Sequence, residues 1–204
     1  MRLLVLGATG NTGREILDRA LARGHHVTAF VRSPEKLAPA AGLAIVPGDP
    51  RDRAALAAAL VGHDAVVSAI GMRPPKAFRP HTLVADCAAA TVDAMGIAGV
   101  QRLAIVSAAV LFPERGLVFA FFRWLLKHIA RDLGAMEGVV RASALDWTIV
   151  RPPRLVQSAD ESWRFAVDAL PAHGRTMGFR ALAAFLVDAV EQDAHPRALV
   201  GLAR

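Results

Sequence analysis

Short apolar runs recur along this chain, and the stretches between them carry the periodicity of amphipathic helices. An uninterrupted apolar run of a few residues, bounded by polar or turn-forming residues, predicts a strand that is buried on both faces, as strands of parallel sheets are. The pattern predicts such strands at residues 3–6, 26–31, 43–46, 65–70, 103–106 and 148–150, with a seventh candidate at residues 198–202.

Helical periodicity fills the intervals between these runs. Over residues 14–22, the apolar Ile16, Leu17 and Ala20 share one stripe, and Gly24 follows as a stop. Strands that alternate with helices of this length are joined by right-handed crossovers. The pattern therefore predicts an α/β fold, a doubly wound parallel sheet with helices on both faces. Further helices are predicted over residues 54–60, 82–95, 131–143 and 180–191.

The length and composition indicate a single globular unit. With 204 residues and no internal repeat or linker-like segment, the chain is expected to form one domain over residues 1–204, with its ligand pocket at the carboxyl ends of the strands. A content of 54% hydrophobic and 21% charged residues argues against disorder. The longest apolar stretch, residues 116–130, is interrupted by Arg123 and Lys127, so we expect no membrane span.

Cysteine and histidine usage argues against disulfides and metal clusters. Cys87 is the only cysteine in the sequence, so no disulfide can form within the chain. Of the 7 histidines, only His25 and His26 are adjacent, and none shows the spacing of metal ligands. Gly7 interrupts the apolar start of the chain, so no signal peptide is expected. These features favour a reducing, cytoplasmic location.

The net charge of +6 raises the question of a nucleic-acid partner. The cations are spread singly, without a dense run or interleaved aromatic residues, which indicates ordinary solvated charges and no nucleic-acid binding. A small anionic ligand would still benefit from the positive field. The scattered cations include Arg14, Arg19, Arg23, Arg32, Arg51, Arg53 and Arg102.

Three glycines, Gly7, Gly10 and Gly13, follow the first predicted strand and lead into the first helix. At such a turn a side chain would clash at the bend, keep the backbone from a pyrophosphate, or separate the helix from its strand. The free N–H groups and the dipole at the helix start attract an anion. The position favours a dinucleotide site over a plain structural turn. Further cofactor contacts are expected from Thr9, Asn11 and Thr12.

The end of the second strand predicts which dinucleotide is bound. An NAD site normally places a carboxylate there to bind the ribose hydroxyls, whereas this strand ends in Arg32, followed by Ser33 and Lys36. A guanidinium can bind a 2′-phosphate through two parallel charged hydrogen bonds. Glu35 argues against a 2′-phosphate site, since its carboxylate could reach the ribose instead. The sequence therefore predicts NADPH (NADP) in preference to NADH.

Residues after the third and fourth strands extend the predicted cofactor site. Asp49 has two open roles, binding the adenine amino group or capping the helix that follows. Gly71 would permit a second close approach of the backbone to the cofactor. Pro50 and Ile70 lie beside them and are expected to contact the cofactor as well.

Several longer stretches then carry a family resemblance. They are GATGNTG (7–13), VRSPEKL (31–37), GDP (48–50), DAVVSAIG (64–71), GVQRLAIVSA (99–108) and LDWTIVRPP (145–153). Together they resemble the atypical short-chain dehydrogenase/reductase superfamily, and within it the small NAD(P)H-binding proteins that include biliverdin IXβ reductase/flavin reductase and the NmrA-like group. The resemblance extends over nearly the whole chain and implies a Rossmann-like fold with a nicotinamide cofactor.

The chain departs from this superfamily at its catalytic pair. Usual members place a Tyr and a Lys one helical turn apart, but this chain has no tyrosine, and Ile129 and Leu133 fall near the expected positions. Alcohol oxidation and epimerisation need that acid and base. Reduction of a flat conjugated acceptor needs chiefly hydride proximity and orientation, and its proton can come from solvent. The resemblance thus implies an NADPH-dependent reductase of a flavin, linear tetrapyrrole or quinone.

The same resemblance implies positions for the acceptor. Ser107, at the end of the fifth strand, is expected nearest the hydride, or else it only satisfies the strand end. Arg73 and Arg154 are candidates for binding an acceptor carboxylate or phosphate, although a histidine is typical at the second position, and each could equally be an exposed charge. The remaining contacts expected near the nicotinamide and the acceptor are Ala108, Pro152 and Pro153.

A second function stays open, that of a non-enzymatic, NmrA-like NADP(H)-binding redox sensor. Its output would be a protein partner contacted through the aromatic segment of residues 119–124. That segment could instead cover the acceptor, form a dimer interface, touch a membrane surface or pack in the core. We expect a small-molecule acceptor and a monomer or homodimer.

Other polar residues are expected to be structural. His81 precedes a predicted helix, where a surface position is favoured over a place in the pocket. Asp132 and Glu137 share one helical segment but are not expected to face each other as a carboxylate dyad.

Overall fold

Strands and helices alternate along the chain, as the periodicity predicts. The structure, a computed structural model, describes residues 1–72, 76–113 and 125–204. The strands are β1 (Arg2–Leu6), β2 (His26–Val31), β3 (Leu43–Pro47), β4 (Ala65–Ser68), β5 (Arg102–Val106), β6 (Asp146–Arg151), β7 (Arg154–Val156), β8 (Arg164–Val167), β9 (Thr176–Gly178) and β10 (Ala198–Ala203). The α-helices are α1 (Asn11–Ala22), α2 (Arg53–Leu60), α3 (Leu83–Ala98), α4 (Lys127–Ala142) and α5 (Phe179–Glu191).

The main sheet has 8 strands in the order β3-β2-β1-β4-β5-β6-β10-β8. Every neighbouring pair is parallel except β10 and β8, which run antiparallel at one edge. The chain therefore forms the predicted single-domain, doubly wound α/β fold. The strand order reverses direction between β1 and β4, and ligands of such sheets bind beside this switch point, outside the carboxyl ends of the strands.

Both faces of the sheet are covered by helices, because successive side chains of each central strand point to opposite faces. In β1, Leu3 and Val5 pack against α1 and α5, whereas Leu4 and Leu6 pack against the layer formed by α2, α3 and α4. All four side chains are completely buried. None of the helices in the described part of the chain is long and apolar enough to cross a membrane.

The structure departs from the sequence expectations at short elements and at one arginine. The strand predicted over residues 65–70 ends at Ser68, and residues 69–71 line a cleft instead. Strands β7 and β9 pair with each other, and β8 adds to the edge of the main sheet. They are too short to show a period in the sequence. Arg102, expected among the solvated cations, is buried because backbone carbonyls surround its guanidinium.

Candidate cofactor and acceptor site

The glycine turn after β1 has no room for side chains. Gly7 has φ +76°, and a Cβ atom on it would lie 2.6 Å from the carbonyl oxygen of Ala69. A Cβ atom on Gly13 would lie 2.1 Å from the carbonyl oxygen of Gly7. The backbone N–H of Gly10 donates to that same oxygen at 2.9 Å. Gly7 thus packs directly on the segment after β4, and Gly13 provides the close approach of α1 to the end of β1 that the glycine spacing predicts.

The start of α1 is arranged to receive an anion. The helix begins at Asn11 with Gly10 as its N-cap, and no side chain of the described residues caps it. Its first turn contains no acidic residue. The unpaired N–H groups and the positive end of the helix dipole therefore face the cleft without a competing carboxylate.

A cleft of about 1060 Å³, here called the outer cleft, extends from this turn along the end of β2. Part of its wall comes from the segment after β4 and the start of α3, including Met72, Leu83 and Cys87. Burial raises the pKa of the Cys87 thiol to about 11, so this side chain is a neutral part of the wall. The predicted cofactor residues that line the outer cleft are Gly7, Thr9, Gly10, Asn11, Arg32, Ser33, Lys36, Pro50, Ile70 and Gly71.

Positive charge predominates on the outer cleft. Its lining cations are Arg14, Arg32, Lys36 and Arg51, against one lining carboxylate in the described residues, Asp86. Arg32 is exposed and has no hydrogen bond or ion pair to any described residue. A free guanidinium at the end of β2 is the feature that a 2′-phosphate site requires.

Glu35, the carboxylate that could have favoured NADH, does not line the outer cleft. Glu35 is exposed and is not among the residues that line it, whereas its neighbours Ser33 and Lys36 are. The side chain of Arg14 approaches the same segment and donates from Nη2 to the carbonyl oxygen of Lys36 at 3.2 Å. The loop after β2 therefore presents cations to the cleft.

Asp49 does not cap the helix that follows it, so that alternative is wrong. The N-cap of α2 is Asp52, whose Oδ1 accepts from the backbone N–H groups of Ala54 and Ala55 at 3.0 and 3.1 Å. Asp49 instead accepts from the guanidinium of Arg51, with Nη2 to Oδ2 at 2.6 Å. These hydrogen bonds lower the pKa of Asp49 to about 2 and raise that of Arg51.

A second cavity of about 340 Å³, the inner cleft, continues from the outer one. The two share Gly10, Ile70 and Gly71 in their walls. No protein atom lies within 4 Å of the position a Cβ atom would take on Gly71, which leaves room there for a ligand. The polar residues that line the inner cleft include Asn11, Thr12, His81, Ser107 and Asp132. Its apolar residues include Val84, Val106, Ile129, Leu133, Leu155 and Phe179.

Ser107 faces the inner cleft and belongs to a buried polar network. Its Oγ donates to Glu137 Oε1 at 2.6 Å. Arg151 donates to both oxygens of the same carboxylate, from Nε at 2.8 Å and from Nη2 at 2.6 Å. The guanidinium also lies over the ring of Phe112, 4.7 Å from its centroid. Because the Ser107 proton is engaged by Glu137, its Oγ is left as a hydrogen-bond acceptor for a ligand.

The expectation of a surface position for His81 is wrong. Only 11% of its side chain is exposed, and it lines both clefts. Its Nδ1 lies 2.8 Å from Asp132 Oδ2, a close contact without the alignment of a hydrogen bond. Asp132 is buried and also accepts from the N–H groups of Val84 and Ala85, each at 3.0 Å. Sequence reasoning missed this pair because its members belong to different elements.

Other predicted residues lie outside the two clefts. Pro152 is buried, and its carbonyl oxygen accepts from the N–H of Ala109 at 2.9 Å. Arg154 is exposed, and its neighbour Leu155 lines the inner cleft in its place. The lining of either cleft does not include Gly13, Asp49, Ala108, Pro152, Pro153 or Arg154. Arg73 and residues 119–124 fall outside the described residues.

Comparison with known proteins identifies the family and the fold. Residues 7–193 match a family described as NAD(P)H-binding. Oxidoreductase stcQ of Emericella nidulans is 34% identical over an alignment of 217 positions that spans 93% of this chain and 77% of that protein. A chloroplastic, uncharacterized protein of Arabidopsis thaliana is 31% identical over 74% of this chain, and the match spans 58% of its length.

Two solved structures share the fold over the full length of this chain. A short-chain dehydrogenase/reductase from Veillonella parvula in complex with NADP has a TM-score of 0.84 at 16% identity, covering 100% of this chain and 94% of that one. SP1627 from Streptococcus pneumoniae, named as a candidate NADH-flavin reductase, has a TM-score of 0.78 at 23% identity, covering 100% of this chain and 99% of that one.

Proposed function

This chain belongs to the NAD(P)H-binding family, and from that premise we propose that it is an NADPH-dependent reductase of a flat conjugated acceptor. The observation that carries the proposal is the continuity of the two clefts, one cationic and the other largely apolar. A dinucleotide needs the first property at its phosphates and the second around its nicotinamide. The relatives named as an oxidoreductase and as a candidate NADH-flavin reductase support the same class of reaction.

In this proposal the outer cleft holds the phosphates and the adenosine. The pyrophosphate lies on the glycine turn and the start of α1, which leave no carboxylate in its way. Arg32, Ser33 and Lys36 bind the 2′-phosphate, and this contact gives NADPH its advantage over NADH. Asp49 acts through Arg51, which it holds at the cleft wall. When bound, the reduced nicotinamide supplies the hydride.

The inner cleft receives the nicotinamide and the acceptor. Ile129 and Leu133, which fall near the positions where the resemblance leads us to expect the Tyr and Lys pair, both line the cavity. Their apolar side chains suit a flat, conjugated ring system and provide no base for an alcohol. Ser107 offers its Oγ as a hydrogen-bond acceptor to the nicotinamide amide or to the acceptor, held in place by Glu137.

Steady-state oxidation of NADPH tests the proposal directly. The acceptors are FMN, riboflavin, biliverdin and menadione, each measured in parallel with NADH. We expect turnover that saturates with at least one acceptor and a higher kcat/KM for NADPH than for NADH. Tight binding of NADPH without turnover of any acceptor would contradict the reductase and favour a redox sensor whose output is a protein partner.

A further inference from the structure

His81 and Asp132 form a buried pair in the inner cleft that the proposed hydride transfer leaves unused. The imidazole lines both cavities, so it lies where the two parts of the site meet. Its Nε2 is buried and has no hydrogen-bond partner among the residues that the structure describes. A buried polar atom of this kind calls for an explanation, and a ligand that supplies the missing partner is one.

The carboxylate of Asp132 is fixed more firmly than a surface side chain. The N–H groups of Val84 and Ala85, at the start of α3, both donate to it at 3.0 Å. No part of its side chain is exposed. Asp132 Oδ2 lies 2.8 Å from Nδ1 of His81, so Nε2, on the other side of the ring, is the nitrogen farther from the carboxylate and open to a ligand. A histidine oriented by a carboxylate in this way is a common proton donor in enzymes.

We propose that His81 donates the proton that completes reduction of the acceptor, with Asp132 as its positioning residue; this inference rests on the proposed reductase function. A hydride brings two electrons to the acceptor and forms its new bond at carbon or nitrogen. The reduced flavin or quinone then needs one proton on a ring nitrogen or oxygen. The Nε2–H bond breaks, the N–H or O–H bond forms on the acceptor, and neutral His81 regains a proton from water.

The test compares acceptors that need a proton with one that does not. FMN and menadione require a proton in addition to the hydride, whereas the N-methylphenazinium cation becomes neutral when it accepts a hydride. We expect His81→Gln to lower kcat about 100-fold with FMN and menadione. With N-methylphenazinium, kcat is expected to fall much less than with the other two acceptors.

The matched control is His63→Gln. His63 is also partly buried, and its Nε2 lies 2.8 Å from Thr28 Oγ1, outside both clefts. This variant should leave kcat unchanged with all three acceptors. An equal fall of kcat for all three in His81→Gln, or no fall at all, would overturn the proton-donor role. A wild-type protein that reduces none of them would instead refute the reductase function, and the inference with it.

A second measurement does not depend on turnover or on how well the variant folds. ¹⁵N NMR of the wild-type protein, saturated with NADP⁺ so that no reduction occurs, follows the imidazole nitrogens while FMN or menadione is added. We expect the Nε2 resonance of His81 to shift with saturation and that of His63 to stay in place. A His81 resonance that does not move with either compound would overturn the proposal.

Discussion

Arg102, which is buried, and Arg151, which is partly buried, lie at opposite ends of the neighbouring strands β5 and β6, and their partners differ. Arg102 begins β5, at the amino edge of the sheet. Its Nη2 donates to Thr148 Oγ1 at 3.0 Å and to the carbonyl oxygen of Ala189 at 2.7 Å. Arg151 ends β6, at the carboxyl edge, and donates to Glu137, which also accepts from Ser107 in the inner cleft.

The difference shows how one residue type is used for structure at one edge and for a site at the other. The guanidinium of Arg102 donates to the carbonyl oxygens of Asp146 and Ala189, and its buried Nε lies 3.3 Å from Asp193 Oδ1 without a hydrogen bond. None of these groups lines either cleft. Burial lowers the pKa of Arg102. The Arg151 network instead ends at Ser107, whose Oγ keeps accepting capacity toward a cavity. At the carboxyl edge the polar network therefore presents hydrogen-bonding capacity to the wall of the inner cleft.

The largest loss of stability is expected at Gly7, and Gly24 is its control because the two glycines have nearly the same φ. Gly7 has φ +76°, and a Cβ atom on it would meet the Ala69 carbonyl oxygen at 2.6 Å; Gly24 has φ +77° and open space around it. We expect Gly7→Ala to cost more than about 3 kcal/mol in unfolding free energy and to abolish NADPH binding. Gly24→Ala should cost about 1 kcal/mol and leave the Kd of NADPH unchanged.

Urea unfolding and a fluorescence titration with NADPH measure both quantities. Equal losses of stability in the two variants would mean that backbone conformation, and not the close approach to Ala69, governs the turn. Preserved NADPH affinity in a folded Gly7→Ala protein would remove the turn from the proposed site.

The next largest effects are on stability and turnover, and they are expected to differ between Arg151 and Arg102. Arg151→Met leaves the buried carboxylate of Glu137 without its cation, and we expect a loss of about 3 kcal/mol in unfolding free energy together with reduced turnover. Arg102→Met leaves buried carbonyl groups and Thr148 without their donor, at a cost of about 2 kcal/mol. At a temperature where Arg102→Met remains folded, its kcat should equal that of wild type.

Thermal unfolding and steady-state kinetics on the same samples distinguish stability from activity. A fall in kcat for folded Arg102→Met would contradict its purely structural role. An unchanged kcat for folded Arg151→Met would contradict its role in the site.

The same division explains what could be predicted from the sequence. The alternation of strands and helices and the glycine turn arise from residues close together in the chain, so local periodicity and spacing are enough to predict them. Arg102 was expected in solvent because its burial depends on carbonyl groups of α5, far along the chain. The pairs formed by Ser107 with Glu137 and by His81 with Asp132 join separate elements, and one sequence carries no record of such contacts.

A smaller effect, on the affinity for NADPH, is expected at Arg32, which lies at the carboxyl edge of the sheet. We expect Arg32→Glu to weaken NADPH binding about 10- to 100-fold, as the loss of charged hydrogen bonds implies, and to change NADH binding little. Arg53→Glu is the control, since Arg53 is exposed and outside both clefts. Calorimetric Kd values for both nucleotides provide the measurement. Equal weakening of NADPH and NADH by Arg32→Glu would reject the 2′-phosphate assignment.

The smallest effect is expected from Asp49, because its ion pair with Arg51 is exposed and screened by solvent. Its hydrogen bonds lower the pKa from 3.8 in an unperturbed carboxyl to about 2. A depressed folded-state pKa contributes stability that is present above pH 3.8 and is lost as pH falls through about 2. In Asp49→Asn this part of the acid dependence of unfolding free energy should disappear, whereas Asp93→Asn, with its exposed carboxylate 3.8 Å from Arg53, should retain it. If Asp49→Asn lost as much unfolding free energy at neutral pH as Arg102→Met, the cleft wall would need this ion pair to fold. The contrast between the two edges of the sheet would then not hold.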